Sequence, residues 1–248
     1  MNREMAKMTW KEFDQIKETK PVILPIGSME QHGYHLPMQT DVIISSGLAK
    51  MLAEEIDGMV APPVNYGYKS QPSSGGGPLF PGTIDLNGVT LIQLIHDILV
   101  EFARDGVKKM FLVNGHFENE PYIIEAMDMV TKEYDIQLVL ASWWDNITDD
   151  VVDKVFDEVP FPSWALEHAA ITETSMVMVF APELVHMDRF VEEPVYHPGP
   201  YYKYPVQKGM VPDSGALATA RTSSPEKGEL LVHGIVDEFV KIYKEALV

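Results

Sequence analysis

The chain has no cysteine among its 248 residues. This absence excludes disulfide bonds and thiolate metal sites, so any bound metal ion must be held by imidazole and carboxylate groups. Basic residues are scarce, because 19 lysines and arginines stand against 37 acidic residues and give a net charge of -18. Such a charge argues against nucleic acid or an anionic membrane as a partner.

Long hydrophobic runs are also absent. No segment approaches the roughly 20 apolar residues that a membrane-spanning helix needs, and Met1 to Lys7 lacks the apolar stretch of a signal peptide. The composition, with 46% apolar and 23% charged residues, is ordinary for a globular protein with a sizeable core. We therefore expect one domain over residues 1–248, in an enzyme of the cytoplasm.

Predicted strands and helices alternate along the chain. Short apolar runs at Val22 to Ile26, Met110 to Val113 and Ile136 to Ala141 predict strands. Apolar residues at helical spacing predict helices after Thr40, over Leu86 to Ala103, near Pro121 to Tyr134, from about Trp164 to Phe180 and from about Glu226 to Ala246. This alternation predicts an α/β fold, in which helices flank a mainly parallel β-sheet.

Two of the predicted strands are each followed by a histidine and a glutamate at alternate positions. Glu30 and His32 follow the first strand, His116 and Glu118 follow the later one, and Asp41 comes shortly after the first pair. Active sites of α/β proteins lie at such strand ends. Two-metal hydrolases use carboxylate and imidazole ligands from separate elements, with one carboxylate bridging the ions.

These five residues are enough for two metal ions. If Asp41 bridges, one ion takes Glu30 and His116. The other ion then takes His32 and Glu118, and open positions remain for a shared hydroxide and the substrate. Asp41 has an alternative role, since an aspartate just before a helical apolar pattern also serves as an N-cap.

Other candidate side chains have two interpretations each. The run Ser73 to Gly77 lacks the Lys-Ser/Thr of a phosphate-binding loop, which leaves a loop that covers a substrate or a flexible surface connection. Trp144 and Trp164 either wall a pocket for a flat substrate or belong to the core. His168 is a proton shuttle, a sixth metal ligand or a structural histidine.

The segments around these residues resemble the creatininase family. Gly27 to Gly33 and Leu36 to Asp41 are similar to the family signature. Similar segments follow in the same order at Tyr66 to Gln71, Gly75 to Gly77, Phe80 to Thr83, Asn114 to Asn119, Trp144-Asp145, Glu167-His168 and Glu173 to Ser175. The resemblance covers nearly the whole chain, and Glu118 distinguishes it from the many family members that carry Gly-Gly after the second histidine.

The resemblance implies a creatininase-like domain that opens creatinine to creatine, a homohexamer, and two divalent ions, zinc, manganese or both. It implies that Glu30, Asp41 and His116 hold one ion and that His32, Asp41 and Glu118 hold the other. Further roles are implied for the pocket: Glu118 handles the proton of the hydroxide, His168 protonates the departing ring nitrogen, Trp144 and Trp164 flank the ring, and Ser74 closes over it with Gly75 and Gly76.

Departures from the family pattern concern the substrate. Phe117 lacks the tyrosine hydroxyl of creatininases, Ala165 replaces an acidic residue after the pocket tryptophan, and Tyr34 stands where the first loop usually has proline. The missing acid removes a partner for a guanidinium-like ring. An alternative is therefore hydrolysis of another small ring, such as an inositol-derived diketone. A third hypothesis is a metal-binding or assembly protein without catalysis.

Overall fold

A four-stranded parallel sheet forms the centre of the molecule. The structure is a computed structural model that describes residues 3–194 and 196–248, so Met1, Asn2 and Val195 of the expected 1–248 domain lie outside the described residues. The strands are β1 (Val22–Ile26), β2 (Met59–Val60), β3 (Lys109–Asn114) and β4 (Gln137–Ser142). Their order is β2-β1-β3-β4, with parallel pairing throughout, which confirms the predicted α/β class.

Helices cover both faces of this sheet. They are α1 (Trp10–Ile16), α2 (Thr40–Glu55), α3 (Gly88–Arg104), α4 (Glu120–Thr131), α5 (Asp149–Val155), α6 (Ile171–Phe180) and α7 (Pro225–Ala246). Short 3-10 helices lie at Met5–Lys7, Phe117–Asn119, Trp143–Asn146, Trp164–Leu166, Pro182–Leu184 and Met187–Arg189. Helices α3 and α4 pack together on one face of the sheet. Helices α2 and α7 contact the sheet from the other face, and α6 packs against α2 and α7.

Alternation along the strands produces these two faces. In β1, Val22 and Leu24 pack with residues of α3 and α4, whereas Ile23 packs with residues of α2 and α7. Because both faces are covered, the strand is apolar at every position rather than at every second one. Among the described residues, no helix has the length and apolar character needed to cross a membrane.

The carboxyl ends of the three longer strands meet at one edge of the sheet. Ile26 of β1 is in register with Asn114 of β3, and Asn114 is in register with Ser142 of β4. Gly27 and Gly115 follow the first two strands, and both lie against the first turn of α2. A Cβ at Gly27 would lie 2.6 Å from the backbone nitrogen of Val42, and a Cβ at Gly115 would collide with the backbone oxygen of Asp41. Glycine at both positions therefore lets two strand ends approach Asp41.

The helix predicted from about Trp164 is wrong in its first part, because α6 begins only at Ile171. The intervening backbone includes Ala169 with a φ of 53°, which is incompatible with a continuous right-handed helix. Two buried carboxylates stabilise this turn. The Thr172 backbone N–H donates to Glu167 Oε2 at 2.9 Å, and the Ala169 N–H donates to Glu173 Oε2 at 2.6 Å. This irregular segment brings His168 to the strand ends.

Candidate metal centre

Buried acidic and histidine side chains gather where β1 and β3 end. In the part of the chain that the structure describes, three groups of three side chains offer ligand atoms within 4.8 Å of one another. The groups are Glu30, Asp41 and His116; His32, Asp41 and Glu173; and Glu30, His32 and His168. All six side chains are buried. Asp41 belongs to the first two groups, as a bridging carboxylate requires.

The first group is arranged around one nitrogen of His116. Nδ1 of His116 lies 3.1 Å from Glu30 Oε1 and 3.1 Å from Asp41 Oδ2. The other ring nitrogen, Nε2, lies 2.9 Å from the Tyr68 carbonyl oxygen. A carbonyl only accepts hydrogen bonds, so Nε2 carries the proton and Nδ1 presents its lone pair to the carboxylates in the neutral ring.

His32 is oriented in the same way in the second group. Its Nδ1 lies 3.3 Å from the Glu30 carbonyl oxygen, to which it donates. Its Nε2 faces Asp41 Oδ1 at 2.9 Å and Glu173 Oε2 at 3.6 Å. The two oxygens of Asp41 therefore face different histidines, Oδ1 toward His32 and Oδ2 toward His116. This division is the geometry of a carboxylate shared by two neighbouring cations.

Asp41 does not cap the helix that carries it. The N-cap of α2 is Gln39, and Asp41 is the second residue of the first turn. The N-cap alternative is therefore wrong. A carboxylate in the first turn is still favoured by the helix dipole, which helps to keep a buried Asp41 ionised.

The charges in the cluster depend on one another. Burial alone would lower the pKa of His32, but Asp41 and Glu173 outweigh it and raise that pKa well above its usual value. Burial likewise opposes protonation of His116, whose pKa is raised by Glu30 and Glu118. Burial would raise the pKa of Asp41, but His32 and His116 lower it. The carboxylates thus demand positive charge in the cluster, and a divalent cation supplies it by displacing protons.

Unpaired polar atoms also indicate that the cluster fits metal ions. Glu30 Oε2, His32 Nε2 and Asp41 Oδ2 are buried without a hydrogen-bond partner in the structure. Buried polar atoms are normally paired, so these donor atoms fit a site that binds cations. Imidazole nitrogens with carboxylate oxygens are a donor set that suits zinc and manganese.

Glu118 lies on the far side of His116 from this cluster. Its Oε2 is 3.3 Å from His116 Nε2, the nitrogen that faces away from Glu30 and Asp41. Its Oε1 accepts hydrogen bonds from the Ser74 hydroxyl at 2.6 Å and from the Gln71 backbone N–H at 2.7 Å. Burial raises the pKa of Glu118, and nearby His116 opposes the shift. The structure groups Glu173 with His32 and Asp41, whereas the predicted set had Glu118 there; Glu118 as a direct ligand stays a prediction.

His168 reaches the cluster from the turn before α6. Its Nε2 lies 2.9 Å from the Gln31 carbonyl oxygen, an acceptor, and 2.8 Å from the Gln31 side-chain amide nitrogen, a donor. Nδ1 is 3.7 Å from Glu30 Oε1. Burial and the neighbouring His32 lower the pKa of His168, so the ring favours its neutral form. His168 can exchange a proton at Nδ1, beside the metal ligands.

Aromatic side chains wall a pocket above the cluster. Phe117 and Trp144 stack with ring centroids 5.2 Å apart, and Trp143 lies edge-on to Trp164 at 6.2 Å. The pocket is lined by these four rings, by Ser74, Glu118 and His168, and by the candidate ligands Glu30, Asp41, His116 and Glu173. The structure thus brings Phe117, Trp144, Trp164 and Ser74 together at one pocket, and their contact with a substrate stays a prediction.

The glycines after Ser74 lie beside this pocket. A Cβ at Gly75 would be 3.4 Å from Glu30 Oε2, and one at Gly76 would be 3.1 Å from Gln31 Nε2. The Gln31 side-chain amide donates to the Gly75 carbonyl oxygen at 2.7 Å. The loop is therefore hydrogen-bonded to the segment that carries Glu30 and His32. This position agrees with a loop that covers the pocket better than with a flexible surface connection.

Glu173 is the candidate ligand that reasoning from the sequence missed. Its burial, shared by Ile171 to Val177, is visible only in the structure, because the polar neighbours Thr172 and Thr174 give no sign of it in the sequence. A buried carboxylate needs a cationic or hydrogen-bonded partner. Interpreting Glu173 only as part of a family-like segment left that partner unidentified.

Fold and donor set together define an α/β protein with a buried centre for two metal ions. The sequence profile of the creatininase family, described as creatinine amidohydrolase, matches residues 6–243. The chain belongs to the creatininase family. A creatinine amidohydrolase of Pseudomonas putida is 39% identical over 94% of both chains. A 3-dehydro-scyllo-inosose hydrolase of Thermotoga maritima is 25% identical over 97% of this chain and 82% of its own.

Solved structures of creatininase superpose on the whole chain. A glutamate-to-glutamine mutant in complex with creatine and a manganese form each give a TM-score of 0.96 at 37% identity, and both chains are covered completely. A Zn-Zn form of that mutant gives 0.95 at 36% identity, again over both chains. These matches confirm the predicted creatininase-like fold.

Proposed function

We propose that this protein is a metal-dependent hydrolase that opens creatinine to creatine. The observation that carries the proposal is the sharing of Asp41 between two buried groups, one with Glu30 and His116 and one with His32 and Glu173. The similarity to the Pseudomonas putida creatinine amidohydrolase supports this substrate over others.

The reaction adds water across the cyclic amide bond. When bound, two divalent ions would polarise the amide carbonyl and lower the pKa of a water molecule. The buried carboxylates of Glu30 and Asp41 and the oriented nitrogens of His32 and His116 would hold them. Because the carbonyl carbon is the atom to which water adds, the carbonyl of the ring has to point toward these residues.

We assign proton transfer to two side chains, Glu118 and His168. Glu118 lines the pocket as a carboxylate held by Ser74 and Gln71, and can take a proton from water. His168 has its Nδ1 3.7 Å from Glu30 Oε1, beside the metal ligands, and can give a proton to the departing ring nitrogen.

The aromatic walls orient the ring. Trp144 and Trp164 with Phe117 offer faces to a flat substrate and exclude water from the pocket. Ser74 holds Glu118 through its hydroxyl, so closure of its loop would be coupled to the position of that carboxylate.

Turnover of creatinine tests the proposal directly. Purified protein that is first stripped with a chelator should be inactive, and added manganese or zinc should restore interconversion of creatinine and creatine. Creatine formation measured by chromatography is the readout. Absence of turnover with every divalent ion tried would contradict the proposed function. Hydrolysis of polyol diketones in preference to creatinine would favour the inositol-derived alternative, for which the support is a relative of only 25% identity.

Substitution Glu173→Gln tests the composition of the second ligand group. We expect metal content to fall from two ions toward one per chain, because His32 and Asp41 lose their third partner. Affinity for the second ion should fall roughly 10- to 100-fold or more. Atomic emission analysis after dialysis against limiting metal gives the readout.

Glu167→Gln is the matched control for that substitution. Glu167 is equally buried and is also a carboxylate near α6, but it hydrogen-bonds Thr172 and belongs to none of the three ligand groups. Its variant should retain two ions. Two ions in the Glu173→Gln variant as well would exclude Glu173 as a ligand.

From the family resemblance we infer that the protein is a homohexamer in the cytoplasm. Light scattering in solution measures the assembly mass, and a monomer at working concentration would contradict the hexamer.

A further inference from the structure

A second hollow opens from the candidate active-site pocket. It shares Ser74, Phe117 and Glu118 with that pocket and is larger, with a volume of about 600 Å³. We call it the vestibule. Its walls include Tyr68, Tyr122, Tyr202 and Tyr204, together with Phe117 and Ala165.

The position of the metal ligands determines which edge of the substrate ring faces the vestibule. Glu30, Asp41 and His116 line the pocket and are buried, whereas Phe117 is 39% exposed and lines both the pocket and the vestibule. A ring whose amide carbonyl faces the ligands therefore directs its opposite edge toward the shared wall. Any group attached to that edge has to extend past Phe117 into the vestibule.

The walls of the vestibule are aromatic and largely uncharged. Tyr68 and Tyr122 have ring centroids 4.0 Å apart, and Tyr202 is 73% exposed. Tyr204 is fixed because its hydroxyl donates to Gln71 Oε1 at 2.7 Å. Aromatic faces of this kind bind apolar and aromatic groups through packing and ring contacts.

The wall at residue 165 carries no charge. Ala165 lines the vestibule with a methyl group at a position where the family resemblance implies an acid. Glu118 is the one carboxylate among the lining residues, and donors from Ser74 and Gln71 already occupy its Oε1. Residue 165 therefore offers no acidic partner to a cationic substituent in the vestibule.

We propose that the vestibule is a binding subsite for an aromatic or apolar substituent on the substrate ring, so that the enzyme accepts cyclic amides larger than creatinine. The inference rests on the proposed function, because it extends the substrate of the same site. The probe is the 1-benzyl analogue of creatinine, in which benzyl replaces the ring N-methyl. Water adds to the carbonyl carbon, the ring C–N bond breaks, and the ring nitrogen takes the proton. The product is N-benzyl guanidinoacetate.

The test compares kcat/KM for creatinine and for the benzyl analogue in the metal-loaded protein. Wild-type protein should hydrolyse the analogue at least as efficiently as creatinine. In Tyr202→Ala, the ratio of analogue to creatinine efficiency should fall about tenfold, the scale of a lost aromatic contact. Tyr201→Ala is the control, since Tyr201 is similarly exposed, at 70%, but lies outside the vestibule. It should leave the ratio unchanged.

Every outcome decides the inference. If creatinine is hydrolysed and the analogue is not, the subsite is excluded while the proposed function stands. An unchanged ratio in Tyr202→Ala also overturns it. If neither compound is hydrolysed, the proposed function fails, and calorimetry with N-benzyl guanidinoacetate then decides the subsite. About tenfold weaker binding by Tyr202→Ala than by wild type supports the subsite, and equal or absent binding excludes it.

Discussion

Asp41→Asn is expected to reduce kcat/KM for creatinine by roughly 10⁴-fold or more, the scale on which loss of an essential catalytic group lowers enzyme rates. Asp41 Oδ1 faces His32 and Asp41 Oδ2 faces His116, so one side chain serves both ligand groups. An amide keeps the shape but loses the negative charge that both cations would share. Activity assays with saturating manganese or zinc measure the loss.

Metal content separates this effect from misfolding. We expect Asp41→Asn to bind both ions more weakly, whereas a substitution confined to one group should affect one ion. Asp149→Asn is the control, because Asp149 also lies in the first turn of a helix but is solvent-exposed. It should retain activity and two ions. Full activity of Asp41→Asn at saturating metal would remove Asp41 from the bridging role.

The position of the site could be predicted from the sequence because it depends on local patterns. The apolar run Val22 to Ile26 is β1 with the predicted bounds, and the run before His116 is β3. Polar residues directly after buried parallel strands have to meet at one edge of the sheet. This rule predicts that Glu30, His32 and His116 lie close together, and it needs no knowledge of the remaining fold.

The membership of the ligand groups could not be predicted in the same way. Glu173 lies more than a hundred residues from His32 in the chain, and only the irregular turn at Ala169 brings them together. That turn depends on a positive φ and on tertiary hydrogen bonds, which helical periodicity does not register. The spacing of His116 and Glu118 indicated two ligands, but it could not reveal that Glu118 faces the opposite nitrogen of the imidazole.

Glu118→Gln is expected to lower kcat for creatinine by roughly 10²- to 10⁴-fold, the usual contribution of a group that transfers a proton in the transition state. The glutamine still accepts hydrogen bonds from Ser74 and Gln71, so the loop keeps its anchor, but it no longer takes a proton. Because Glu118 also faces His116 Nε2, the variant should bind the ion at His116 about 10- to 100-fold more weakly.

Titration with metal distinguishes this role from direct ligation. If Glu118 moves protons, excess manganese or zinc should restore two ions per chain to Glu118→Gln without restoring kcat. If Glu118 is instead a ligand beside His32, as the spacing alone predicts, the ion missing from the variant should be the one that Glu173→Gln also loses. Ser74→Ala provides the graded control, because it removes one hydrogen bond to Glu118 and keeps the carboxylate. We expect a loss of only about tenfold there, since a hydrogen bond to a charged group contributes roughly 1.5 kcal/mol. Recovery of kcat together with metal content in Glu118→Gln would show that the carboxylate acts through the metal alone.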